Sequence, residues 1–359
     1  MKVLILAEDY PNNNGGISLM YIHTRNLYYQ KNGIDVEVLN FRAIEDYVFE
    51  NIPVITIKSY KEKNKKYDLL IIHAANVKHH YYFLKRYGNR FRKFIFFYHG
   101  HEVLKINKVY SKPYYYVNQS KPRQLLQDIY DDFKLYIWKK YLPKVAYKSE
   151  FVFVSEWMKN EFFKWTKINK SKIENHCHIT YNCVGEIFEN MSYNDNSTKK
   201  YDFVTIRGNL DGSKYSIDIV NCLAKHTPNR KFLVVGKGKF FEYFKKADNV
   251  EWKNQTMNHE EIIKTLDEAR FALMPTRTDA QGLMMCEMAA YGIPLITSDI
   301  PVCHEVFDDF DNVYFINNDN DKESLEKYAS IKSVCKKDDR FFKDITIQKE
   351  LDLIKRTAE

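Results

Sequence analysis

The 359 residues hold no apolar run that approaches the 18–20 residues of a membrane-spanning helix. The stretch Met1 to Asp9 has one lysine and a five-residue apolar run (Val3–Ala7) before its acids. It is too short for a secretory leader, so the expected location is the cytoplasm. None of the six cysteines (177, 183, 222, 286, 303, 335) forms a C-x-x-C pair, and a reducing compartment would keep them as thiols. His176 and His178 lie close to Cys177 and Cys183, yet the four-ligand spacing of a zinc site is missing and no metal is expected. A dinucleotide fingerprint is absent, because Gly236-Lys237-Gly238 is followed by Phe at 241, and there is no P-loop lysine motif. Asp309-Phe310-Asp311 and Asp319-Asn320-Asp321 mimic a metal-binding D-x-D, but they lie late in a polar stretch and read as solvated loop. Repeats and low-complexity tracts are also missing. Acids are scarce in one place: residues 51–150 carry 7 Asp and Glu against 21 Lys and Arg.

What is present is an ordinary globular composition, 45% apolar and 28% charged, on a chain too long for one hydrophobic core. Short apolar runs alternate with longer amphipathic stretches, the pattern of parallel sheets covered by helices. Strands are expected at Val3–Ala7, Val36–Leu39, Asp68–His73, Phe94–His99, Phe151–Ser155 and His178–Tyr181. A helix is expected from Ser18 to Lys31. Leu125, Ile129, Phe133, Ile137 and Tyr141 recur at i+4 and predict a long amphipathic helix stopped by Pro143. A second series has strands at Phe203–Arg207, Phe232–Val235, Phe271–Met274 and Pro294–Thr297, with a helix over His259–Ala269. The reading is an α/β chain with an N-terminal domain at 1–184, a linker at 185–200, a second domain at 201–338 and a helical tail at 339–359. Two such halves imply a cleft, and ligands bind open α/β sheets at the carboxyl ends of the strands.

The segment from Thr276 to Leu295 concentrates the chemistry. A strand ends near Pro275, a loop carries Asp279, and a helix runs from about Gly282 to Gly292. Such a helix start presents unpaired N–H groups and a positive dipole end, and Gly282 would let a phosphate approach the backbone of Gly282 and Leu283. Asp279 and Glu287, eight residues apart, could accept hydrogen bonds from the hydroxyls of one ligand. On spacing alone the pair is equally well a dipole-capping acid and a solvated glutamate. The whole stretch, however, resembles the E-x7-E signature of GT-B glycosyltransferases of the large retaining family 4. Gly15-Gly16 after the first strand resembles that family's Gly-Gly loop. Ile179-Thr180-Tyr181-Asn182 resembles its I-P-N-G-V segment, and Leu233 to Gly238 its V-G-x-G turn. His304-Glu305-Val306 fits the continuation. Asp279 departs from the pattern, where glutamate is usual, and shortens the reach toward a sugar by one methylene.

The resemblance implies the GT-B fold, two Rossmann-like domains facing each other across a cleft, with the tail packing back on the first domain. It implies a retaining, metal-independent hexosyltransferase-type enzyme without a cofactor. Arg207 and Lys214 would bind the diphosphate of a nucleotide-sugar donor together with Gly282 and Leu283, Glu287 would hold the ribose, and Asp279 the sugar. The Arg–Lys interval is two residues longer than the family's commoner spacing. His99, at a strand end before Gly100, would contact the reacting sugar, with His101 a rival and His73 lining the acceptor side; His79-His80 read as surface helix. Gly15 and Gly16 would line the substrate. The donor is expected to be a UDP-sugar and the acceptor a hydroxyl of a bacterial surface glycan, such as a capsule, or of a lipid-linked saccharide. The alternatives are a nucleotide-sugar epimerase on the same fold and a catalytically silent subunit that binds glycan or a partner transferase. The basic segment 51–150 could serve nucleic acid, solvent or an anionic membrane. With no nucleic-acid motif present, the expected uses are peripheral contact with the inner face of a membrane or stacking of tyrosines on a saccharide acceptor, which would give much the same composition.

Overall fold

A computed structural model describes every residue except 17, 118–119, 321, 330, 332–333 and 359. The chain divides into two compact units. The first is built from Met1–Ile106, Asp128–Cys183 and Lys343–Glu359, the second from Asn107–Gln127 and Val184–Phe342. Two boundaries differ from the sequence reading. Residues 107–127 cluster with the second unit rather than the first, and 185–200 is not a free linker. It contains the short helix Glu186–Asn190, and Tyr193 anchors it by donating its N–H to the Tyr291 carbonyl and its hydroxyl to the Ala269 carbonyl.

In the first unit the strands are β1 (Lys2–Ala7), β2 (Asp35–Asn40), β3 (Tyr47–Phe49), β4 (Ile52–Ile55), β5 (Leu69–His73), β6 (Lys93–Tyr98), β7 (Ser149–Phe153) and β8 (Cys177–Ile179). They form one sheet in the order β3-β4-β2-β1-β5-β6-β7-β8, parallel throughout except for the β3–β4 pair. Continuous apolar runs such as Val3–Ala7 and Leu69–Ile72 are buried on both faces, as parallel strands under helices must be. Register pairs Ile5 with Val38 on one side and with Ile71 on the other. The helix Met20–Lys31 and the final helix Lys343–Ala358 cover this core, the latter through Ile347, Leu351 and Ile354. The order reverses between β1 and β5, so the loops after those two strands diverge and leave a crevice at their carboxyl ends.

The second unit repeats the scheme with β9 (Tyr201–Asn209), β10 (Phe232–Lys237), β11 (Val250–Lys253), β12 (Ala269–Leu273), β13 (Leu295–Ser298) and β14 (Val313–Ile316). Their order, β11-β10-β9-β12-β13-β14, is the Rossmann arrangement, and every pair is parallel. Here the reversal falls between β9 and β12, the strands that lead into Arg207 and into the Thr276–Gly282 loop.

The long helix runs Lys121–Val145 and passes through Pro143 instead of stopping there. A proline in the last turn loses one hydrogen bond at a place where the helix is ending anyway. The buried face of this helix is also not the expected one. Asp131, Lys134, Leu135, Trp138 and Leu142 are buried, while Leu125, Ile129 and Phe133 are 61%, 58% and 54% exposed.

Candidate functional site

In the second unit, β9 delivers Arg207 to the switch point. The guanidinium is 6% exposed. Its Nη2 donates to the Pro275 carbonyl at 2.8 Å, and its face lies 5.0 Å from the Tyr215 ring centre. Among the described residues its buried Nε has no partner. Burial pushes its pKa below the usual arginine range, against the pull of the Asp279 carboxylate. Lys214 sits in the turn Ser213–Tyr215, its ammonium 4.7 Å from the Tyr215 ring and 5.7 Å from that of Tyr110. The Lys214 carbonyl accepts from the Arg277 N–H (2.9 Å) and the Thr276 hydroxyl (3.0 Å), which ties this turn to the loop after β12. Arg277 is consumed structurally, bonding both Asp218 oxygens (2.9 and 2.6 Å) and the Ser213 carbonyl. At the end of β10, Gly236 has φ +156°, and a Cβ there would collide with the Arg207 carbonyl.

The loop after β12 is braced by Ser298, whose hydroxyl accepts from the Thr276 N–H and donates to Asn318. Asp279 is half-buried, and its Oδ1 accepts from the Ala280 N–H at 2.8 Å. Gly282 follows at φ +76°, a left-handed conformation, and a Cβ on it would run into the Met285 methyl. The helix then runs Leu283–Tyr291 and closes at Gly292, φ +101°, whose N–H returns to the Met288 and Ala289 carbonyls. On its second turn Glu287 is 5% exposed, and its Oε1 accepts from the Gly185 N–H at 3.2 Å. Burial raises its pKa to about 7, with the Gly185 bond opposing. A Cβ at Gly185 would come within 3.3 Å of that oxygen and 3.1 Å of His259 Cε1. Gly185 and His259 therefore wall the Glu287 carboxyl. His259 opens a helix capped by a reciprocal Asn258–Glu261 box and was not singled out from the sequence.

In the first unit a cavity of about 590 Å³ opens at the carboxyl ends of β1, β5 and β6. Glu8, Asp9, Arg42, His73, His99 and His101 are among the groups that line it. His73 Nδ1 and His99 Nε2 face each other at 3.1 Å, and the Tyr21 ring lies 4.6 Å from that of His99. Burial holds both imidazoles well below the ordinary histidine range, helped by their mutual proximity in the case of His73 and by Arg25 for both. The His99 backbone N–H donates to Glu102. Gly15 and Gly16 lie in a loop folded on Asn12, whose side-chain oxygen accepts from the Asn14 and Gly16 N–H groups. That loop leads to Ser18 and Leu19 on the cavity wall. His79-His80 is not a surface helix. It belongs to the π-helical turn Val77–Tyr81, in which His80 is fully buried and His79 pairs with Glu8 at 2.6 Å.

Among the described residues no three His, Cys, Asp or Glu side chains are grouped to hold a metal ion. Glu150 instead bonds His176 and His178 at 3.3 and 2.7 Å. Asp309 and Asp311 face solvent beside Arg340 and Lys336, and Asp321 lies outside the described residues. No described helix is long and apolar enough to cross a membrane.

Residues 190–344 match the family model of glycosyl transferases group 1. A comparison with curated proteins gave no match. Among solved structures, sucrose-phosphate synthase from Thermosynechococcus elongatus is similar with a TM-score of 0.72 at 12% identity, covering 99% of this chain and 98% of that one. A glycosyltransferase from Rickettsia africae reaches 0.67 at 13% identity over 100% and 98%. HepE of Anabaena, solved in complex with UDP and glucose, reaches 0.66 at 11% identity over 99% of each chain. The chain has the GT-B fold of glycosyltransferases, and its residues 190–344 are similar to the group 1 glycosyl transferases.

Proposed function

We propose that this chain is a retaining glycosyltransferase of the family 4 type. It moves a sugar from a UDP-sugar to a hydroxyl of a bacterial surface glycan, such as a capsule, or of a lipid-linked saccharide. The observation that carries this reading is Arg207: a buried guanidinium at a sheet switch point, with an unpartnered N–H and a carboxylate too weak to keep its pKa up. A buried cation of that kind calls for an anionic ligand. A diphosphate supplies it, and breakage of the sugar–phosphate bond increases the charge that Arg207, Lys214 and the Gly282–Leu283 amides would stabilise, without a metal or cofactor. The walled carboxyl of Glu287 suits a ribose diol. Asp279 suits a sugar hydroxyl, and His99 a hydroxyl at the reacting end of the donor. The UDP and glucose bound to the Anabaena structure support the choice of nucleotide.

The test is a panel of nucleotide sugars scored by UDP release, with and without a crude lipid-linked acceptor. Release that depends on acceptor is the expected result. Isomerised nucleotide sugar without acceptor would instead identify an epimerase, and no donor binding at millimolar concentration would leave a silent subunit.

The long helix adds a second element. It exposes Ile129, Tyr130, Phe133 and Tyr136 on one side and continues into Lys139, Lys140 and Lys144. Exposed aromatic and aliphatic side chains beside cations suit the headgroup layer of an anionic membrane. Ile129→Asp with Phe133→Asp should leave the unfolding curve within about 0.5 kcal/mol of wild type, because both sites are solvent-facing. The same pair should abolish sedimentation with vesicles containing phosphatidylglycerol. Unchanged vesicle binding would refute peripheral attachment through this helix.

A further inference from the structure

Arg25 is fully buried in the core of the first unit, on the helix Met20–Lys31, and each of its three nitrogens donates a hydrogen bond. Nε meets both carboxylate oxygens of Glu350 at 3.0 Å, and Glu350 comes from the final helix, 325 residues away. The Tyr29 hydroxyl donates to the same carboxylate at 2.5 Å. Nη1 donates to the Tyr21 carbonyl at 2.9 Å, and Nη2 to Asn182 Oδ1 at 2.9 Å. Asn182 in turn hydrogen-bonds the His99 ring through its side chain, and His99 Nε2 faces His73 Nδ1. The polar path is continuous from the final helix to the carboxyl ends of β5 and β6.

Packing alone does not call for this arrangement. A buried ion pair gives up hydration on both sides, and apolar residues of similar volume hold helices together as well or better. The direction of the bonds suggests what the pair does. A guanidinium only donates, so it fixes which end of the Asn182 amide points toward it and therefore what Asn182 presents to the imidazole. An imidazole held on one nitrogen has its tautomer decided for the other. We infer that Arg25, seated by Glu350 and acting through Asn182, is a positioning residue that holds His99 in a single tautomer and orientation. The catalytic consequence rests on the proposed role of His99 at the donor sugar; the relay does not.

The groups that face His99 are His73 from β5, Arg25 and Tyr21 from the helix Met20–Lys31, His101 and Glu102 from the loop after β6, and Asn182 after β8. Of these, Arg25 is the fixed charge that opposes protonation of both imidazoles.

The experiment is ¹⁵N NMR of protein labelled at histidine, from pH 5.5 to 8, combined with transfer kinetics. Two variants are compared with wild type: Arg25→Met with Glu350→Met, which replaces the buried pair by apolar side chains of similar length, and Asn182→Ala. Wild type should show one neutral His99 tautomer across the range. Both variants, with near-ultraviolet circular dichroism unchanged, should show mixed tautomers at His99. In the double variant the pKa of the ring should also move upward, because Arg25 is one of the charges that holds it down. In both, kcat should fall about tenfold with KM for the donor unchanged, the order of effect expected when one hydrogen bond to the reacting sugar is misplaced. A folded variant with wild-type His99 signals and pH profile would overturn the inference. If the double variant does not fold, Asn182→Ala decides alone. If wild type proves to transfer no sugar, the proposed function fails, while the NMR result still decides the relay.

Discussion

Glu287 should cost the protein stability at and above neutral pH, and the cost can be read out. Its carboxyl is buried, and its pKa is raised from 4.5 to about 7. Between those values the native state holds a proton that the unfolded state has released, so native stability falls as pH rises through the window and levels off above 7. A shift of that size, at 1.36 kcal/mol per pH unit, amounts to about 3 kcal/mol. Glu287→Gln keeps an oxygen for the Gly185 N–H and cannot ionise. The variant should therefore match wild type near pH 4.5 and exceed it by up to about 3 kcal/mol at pH 8, a rise of roughly 6–12 °C in the melting temperature of a domain this size. Urea unfolding at pH 5 and pH 8, followed by tryptophan fluorescence, measures the difference of differences. The same substitution should weaken UDP binding by calorimetry, because a neutral amide is a poorer acceptor for a ribose diol than a carboxylate. An advantage of Glu287→Gln that is equal at both pH values would refute the electrostatic argument. Unchanged UDP affinity would refute the ribose assignment.

Arg207→Ala should lower kcat/KM for transfer by about 10²–10³, the range for loss of one preorganised donor at a site of developing charge. Its fold should survive, since among the described residues no buried carboxylate is ion-paired to Arg207; transfer at the wild-type rate would remove Arg207 from the site. Gly282→Ala forces a side chain into a left-handed turn and against Met285, and should cost about 1–3 kcal/mol in urea unfolding together with the loss of UDP binding. Full retention of both would mean that the turn relaxes freely.

The sheets were legible because their strands are buried on both faces. Runs such as Val3–Ala7 and Phe232–Val235 cannot be anything else in a chain of this length, and the structure places strands there within a residue or two. The helix Leu283–Tyr291 was legible because left-handed glycines bracket it at 282 and 292. The orientation of the long helix was not. Leu125, Ile129 and Phe133 make one apolar stripe and Leu135, Trp138 and Leu142 make another, and periodicity cannot say which stripe meets the core. The packing of 185–200 was hidden by its polar composition, since Tyr193 does the anchoring through single hydrogen bonds. His259 carries no motif; the capping box before it marks a helix start and nothing more. Arg25–Glu350 is a contact between opposite ends of the chain, and no local window contains it.

The same hidden stripe bears on the purpose of the positive charge. Part of the positive charge in 51–150 is taken up in ion pairs: Lys63 pairs with Asp46, Lys65 with Glu37, Lys105 with Asp132 and Lys134 with Asp131. Lys148 is spent on the Gly88 and Phe91 carbonyls. Lys139, Lys140 and Lys144 continue along the helix that exposes Ile129, Tyr130, Phe133 and Tyr136. A nucleic-acid backbone would reward the cations and give the aliphatic and phenyl groups no partner, because phosphate recognition is won through charge and counterion release. A bilayer interface rewards both kinds of group at once, the cations at the headgroups and the rings just beneath them. The two surfaces thus differ in their response to salt. Nucleic-acid binding would collapse steeply as ionic strength rises, whereas attachment through this helix should keep an apolar component that salt cannot screen.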